Sequence, residues 1–190
     1  MGFDSISVSM YSCSMNGFRG VSSVLALGSV IALSAACSSS EVPAAESPAA
    51  EVTYEITEAN HVTEPVVYEQ SPPVGGPHHP AWQNCGVYDD VVPNETAVHS
   101  LEHGAVWVAY DAEVVGDPDA LERLADSATH VLVSPFDDPG SLVVASAWGV
   151  QQRFDDVDDP ALVEFIQRHQ LSPASPEPGA PCAGGVGEPR

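Results

Sequence analysis

Lysine is absent from this chain, and its five basic residues are all arginines, set against 27 Asp and Glu. The formal net charge is −22. That balance excludes nucleic acid as a partner, because no basic surface exists to release counterions from a phosphate backbone. It equally disfavours an electrostatic grip on anionic lipid. Without lysine there is no Schiff-base chemistry and no P-loop. Methionine is also missing after Met15, which rules out a thioether-rich copper(I) site in the body of the protein. What the acid surplus favours is solubility and attraction of cations towards an acidic cleft. A high-salt or generally acidic proteome carries the same surplus.

Long apolar runs are scarce as well. The only early basic residue, Arg19, precedes an uncharged stretch from Val21 to Ala36, and at about 16 residues it falls short of a comfortable membrane span. It ends in Leu33-Ser34-Ala35-Ala36-Cys37, which resembles a bacterial lipobox, with Cys37 as the lipidated mature N-terminus and Ser34 where an aliphatic residue is usual. Met15 makes a more natural start than Met1, which would leave Cys13 outside the translated protein. The expected organisation is an export signal over 1–36, a lipid-anchored flexible tether over 37–59, and one domain over 60–185. The protein would lie at the outer face of the cell membrane, in the cell envelope.

With Cys37 spent on lipid, two cysteines remain, Cys85 and Cys182. An even pair in an exported protein points to a disulfide. Closing so long a segment is worth roughly 2–4 kcal/mol in the chain-entropy picture. A free Cys85 acting as nucleophile, with a histidine as base, is the alternative.

Residues 52–56 alternate as an edge strand, and 66–69 read as a second short one. Ser71-Pro72-Pro73-Val74-Gly75-Gly76-Pro77 cannot be helical and delivers His78 and His79 on an irregular loop. A short helix is expected from an N-cap at Asn94 to a stop at Gly104. Residues 105–110 are apolar on both faces and predict a central strand. An amphipathic helix follows over 117–128, with Pro118 in its first turn. Strands over 130–134 and 141–148 are expected to pair as an antiparallel hairpin. A last helix over 160–170 turns Leu162, Phe165 and Ile166 inward. The fold class is α+β: a single small domain, its sheet mixed or antiparallel, with two to three helices packed on one face.

Four of the seven histidines and two of the three tryptophans fall between Gly76 and Tyr110. His99 and His103, four apart on a helix, present two imidazoles on one face, with Glu102 between them. His-Ser-Leu-Glu-His matches the inverted zinc-protease pattern, but the helix is too short for that fold and no third ligand from a second helix is evident. A broader metal site fits better: His78, His79, His99 and His103, with Glu102 as ligand or as acceptor behind one, suit copper or zinc. His61, His130 and His169 read as ordinary surface or core residues, and the tryptophans as core. The acidic pairs at 137–138, 155–156 and 158–159 read as turns and caps, lacking the glycine-centred spacing of a calcium loop.

The run His78-His79-x-x-Trp82-x-x-Cys85-Gly86-x-Tyr88, followed by Val98-His99-Ser100-Leu101-Glu102-His103-Gly104-x-Val106-Trp107, resembles the bacterial domain of unknown function 3105 family. The close Glu177-Pro178-Gly179-Ala180-Pro181-Cys182 resembles the end of that domain, while Val91 departs from an expected proline. The resemblance implies an exported or membrane-anchored protein and ties His78, His79, Cys85, His99, Glu102 and His103 together as a unit. It implies no reaction. The sequence therefore leads to an exported metal-binding lipoprotein, or else to a non-catalytic envelope domain that binds a protein partner and uses the His/Trp motif structurally.

Overall fold

A computed structural model describes residues 49–115, 119–126 and 128–190. The expected export signal, the expected lipid site Cys37, Pro118 and most of the stretch read as a tether lie outside the described residues. Six strands form one mixed sheet: β1 (Val52–Thr53), β2 (Gly86–Val87), β3 (Val106–Tyr110), β4 (Val131–Pro135), β5 (Val143–Ala147) and β6 (Val150–Phe154). Their spatial order is β1-β6-β5-β3-β4-β2. The helices are α1 (Asn94–Glu102), α2 (Ala112–Val115), α3 (Asp119–Asp126) and α4 (Pro160–His169). The single small α+β domain expected from the sequence is what these elements build.

Strand β3 is the spine. All five of its residues are buried, and alternate side chains serve two separate apolar layers. Val106, Val108 and Tyr110 join Val131, Val133, Val143 and Ala145 against Leu121 of α3 and Leu162, Phe165 and Ile166 of α4. Trp107 and Ala109 join Leu132 on the opposite face, where Ala97 and Leu101 of α1 cover them. Two helices thus share one face, and α1 lies alone on the other. The indole N–H of Trp107 donates to Ser134 Oγ at 3.0 Å, so its burial leaves no polar group unmet. Asp159 caps α4 by accepting from the Ala161 N–H at 2.8 Å, as the acid-pair reading expected.

The strands at 131–135 and 143–147 do not pair with each other. Strand β4 runs parallel to β3, and β5 runs antiparallel along its other edge. A strand apolar on both faces gains most by taking the centre of the sheet. The connection from Phe136 to Leu142 is long enough to pass over its end, where Phe136 N–H donates to Tyr110 O at 2.9 Å and Asp111 N–H to Leu142 O at 3.1 Å. The true hairpin is β5–β6, turned at Trp148-Gly149, with Gly149 at φ +70°. Strand β6 was hidden by its polar sequence Val-Gln-Gln-Arg-Phe, yet four of its five residues are buried. No strand forms over 66–69, where Val67 is almost fully exposed. Helix α1 begins after Pro93, with no side-chain cap, rather than at an Asn94 cap.

Replacing Leu132 by alanine empties a fully buried position between Trp107 and α1 and should lower unfolding free energy by about 2–5 kcal/mol in denaturant titrations. Val163→Ala, on the exposed side of α4, should leave the midpoint nearly unchanged.

Candidate metal centre

Helix α1 buries polar side chains as thoroughly as apolar ones: Thr96, His99, Ser100 and Glu102 are buried beside Ala97, Val98 and Leu101. Such a helix persists only if each polar group is met. Thr96 Oγ1 donates to Gln83 Oε1 at 2.8 Å, and Ser100 Oγ donates to the Gln83 carbonyl at 2.7 Å. His99, Glu102 and His103 fall on one face by their spacing of three and four. Gly104, at φ +92°, ends the helix and turns the chain into β3.

Two other segments close over that face. The loop carrying His78 is bridged to the segment carrying His61: Val62 N–H donates to His78 O at 2.7 Å, and His78 N–H to Asn60 O at 3.1 Å. The C-terminal tail is held by the Cys85–Cys182 disulfide and supplies donors to the last carbonyls of α1. Glu177 N–H meets Glu102 O, and Gly179 N–H meets His103 O, each at 3.0 Å.

Three imidazoles are clamped at Nδ1 by backbone carbonyls, which only accept. His78 Nδ1–H donates to Gly76 O at 2.9 Å, His99 Nδ1–H to His79 O at 2.7 Å, and His103 Nδ1–H to Pro181 O at 2.7 Å. In the neutral ring this leaves Nε2 as a bare lone pair, and the three Nε2 atoms point at further acceptors. His78 Nε2 lies 2.9 Å from Glu102 Oε2, and His99 Nε2 lies 3.0 Å from His103 Nε2. His99 Nε2 and His61 Nε2 approach the same carboxylate oxygen at 3.9 and 3.8 Å. A centre built of lone pairs needs a proton or a cation among them.

Ligand atoms of His61, His78, His99 and Glu102 all lie within 4.8 Å of one another. Around a tetrahedral zinc with bonds of about 2.0–2.1 Å, ligand atoms stand about 3.3 Å apart. The cluster can therefore close on one ion with small movements, and carbonyl-clamped imidazoles are the arrangement that orients ligands for a metal. His103 stands outside this set and reaches it only through His99. Trp148 meets His78 edge-on at 6.1 Å, and Trp82 packs against His99 and His103 at 5.8 and 5.1 Å.

Of the expected ligands, the structure brings His78, His99 and Glu102 together and leaves the rings of His79 and His103 outside the cluster. His79 gives its backbone carbonyl rather than its ring, whose Nδ1 accepts from the Ala81 N–H at 3.0 Å. Adjacent residues in an extended loop point apart, so His78 and His79 cannot both face inward. His61, read as an ordinary histidine, completes the cluster. Nothing in local spacing marks it, because the bridge to His78 is long-range. His130 and His169 remain structural, against the Ala180 carbonyl and Glu51 respectively. Cys85 is in the disulfide, so the cysteine-nucleophile alternative has no thiolate to use.

An α+β domain in which two buried histidines and a buried glutamate meet a third, exposed histidine is the class defined by this geometry. Residues 61–184 match the family described as Protein of unknown function (DUF3105), and the chain belongs to that family. No curated protein and no solved structure matches the chain.

Burial lowers the pKa of His99 from 6.5 to about 4, aided by the nearby His103, His78 and His61 and opposed by the bond to the His79 carbonyl. The folded value lies below the unfolded one, so the unfolded chain binds more protons between those limits. Stability is therefore full above the upper value and falls as pH drops through the window. In metal-free protein the His99 ring protons should titrate by NMR with a midpoint near 4, not 6.5. His99→Gln should flatten the pH dependence of melting over the same range. A midpoint at the upper value would mean a ring open to water.

Proposed function

We infer that this protein is an exported lipoprotein that binds one transition-metal ion, copper or zinc, through His78, His99, Glu102 and His61. The observation that carries the reading is the clamping of three imidazole Nδ1–H groups by backbone carbonyls, which in the neutral rings aims the Nε2 lone pairs at one another and at a buried carboxylate. Imidazole and carboxylate donors without thiolate or thioether suit zinc or copper(II). The net charge of −22 raises local cation concentration around the site. Export is supported by the leader ending at Cys37 and by the disulfide, a bond that oxidising compartments favour.

Untagged protein should retain close to one equivalent of metal in elemental analysis. His78→Ala and Glu102→Gln should each weaken zinc or copper(II) affinity by about tenfold or more in calorimetric titrations. Wild type binding no better than a His78→Ala, His99→Ala double variant would overturn the metal reading. Export and anchoring have their own check: Cys37→Ser should move the protein from the membrane fraction to the soluble fraction.

A further inference from the structure

The four groups that converge are not held alike. His78 is fully buried and His99 and Glu102 nearly so, and each histidine of that trio has its Nδ1–H fixed on a backbone carbonyl. His61 differs on both counts. Its side chain is 51% exposed, and among the described residues no hydrogen bond holds its Nδ1. Its ring is stacked on His99 at 4.9 Å and edge-on to His78 at 5.0 Å, with Glu102 Oε2 3.8 Å from its Nε2. Its backbone is secured by the bridge to His78, so the ring can leave without unravelling the loop. The four residues that follow it, Val62 to Pro65, line a cavity of about 310 Å³ together with His79 and Glu95.

We propose that His61 is a displaceable outer ligand, and that the coordination position it covers is the port through which the ion passes to or from an incoming imidazole or carboxylate donor. The site is then a transfer site rather than a structural one: two imidazoles and a carboxylate retain the ion while the solvent-side position exchanges. A structural site closes all its positions with oriented ligands, whereas a site that exchanges keeps one open or openable. An ion held by three buried groups cannot leave through the core, and the only exposed member of the cluster marks the way out. The inference rests on the metal reading above.

The test separates the two. Zinc-loaded full-length protein is mixed in a stopped-flow instrument with a chromophoric carboxylate chelator, and Trp fluorescence is followed in parallel, Trp82 lying against His99 and His103. Wild-type transfer should rise with chelator concentration, as expected when the incoming donor enters before the ion leaves. His61→Ala should still bind one equivalent but transfer it at least about tenfold faster, since affinity lost at one contact shows mainly as a faster off-rate. His78→Ala should lose stoichiometric binding. Circular dichroism of each variant controls for folding. Transfer independent of chelator concentration, an unchanged rate in His61→Ala, or loss of stoichiometric binding in that variant would each overturn the port. Failure of wild type to bind zinc or copper(II) at equilibrium would instead sink the metal reading, and the port with it.

Discussion

Everything at the centre depends on three hydrogen bonds that cost the sequence nothing in side-chain identity: imidazole Nδ1–H groups donating to the carbonyls of Gly76, His79 and Pro181. An imidazole free to rotate would pair its two nitrogens with water or with the carboxylate and lose any fixed direction. Fixed at Nδ1, each ring has one tautomer in its neutral form and one orientation. Two of the carbonyls come from the loop at 76–79 and the third from the C-terminal tail, so the orientation of His99 and His103 is inherited from the tertiary fold rather than from α1 itself. A motif of two histidines and a glutamate on a short helix would otherwise be a solvated helix end.

The disulfide acquires a role beyond closing a long loop. Cys182 directly follows Pro181, whose carbonyl orients His103, and Cys85 N–H donates to Cys182 O at 2.7 Å. The same tail caps the final carbonyls of α1, groups that would otherwise be left without partners beneath a protein surface. A Pro- and Gly-rich segment has little apolar surface with which to hold itself in place. The covalent link is what lets such a segment act as a precise wall of a buried polar site.

Local chemistry was readable where it sufficed to decide the outcome. The apolar content of 106–110 placed β3 at the centre, the spacing of Leu162, Phe165 and Ile166 turned α4 inward, and the Cys85–Cys182 pairing followed from an even cysteine count under an expected export. What failed to show was decided by long-range partners. Strand β6 is buried because the loop at Pro72 covers it, its Gln151 Nε2 donating to Pro72 O at 2.8 Å, and no periodicity of Val-Gln-Gln-Arg-Phe announces that. The pairing of β4 turned on competition for the centre of the sheet, which a strand-by-strand reading does not weigh. In the site, His61 lies 17 residues before His78 along the chain, and only the bridge between their backbones brings it near. His79 was a miss of the opposite kind: the motif marks the residue, but its contribution is a carbonyl, which every residue type carries.

The competing account, a rigid aromatic loop in which the histidines merely fasten segments together, explains half of the geometry. Hydrogen bonds from Nδ1 to backbone carbonyls do fasten the loop at 76–79 and the tail at 181 to α1. A fastening role is complete, however, when one ring nitrogen is bonded and the other is either wet or facing a donor. Here the second nitrogens are buried and face acceptors, His99 towards His103 and His78 towards Glu102. Asparagine or glutamine would fasten the same segments without gathering lone pairs in one place. Clustering them there creates an electrostatic repulsion that a shared proton or a bound cation removes. Burial disfavours the proton on His99, and the proposed cation relieves the repulsion at that ring without one.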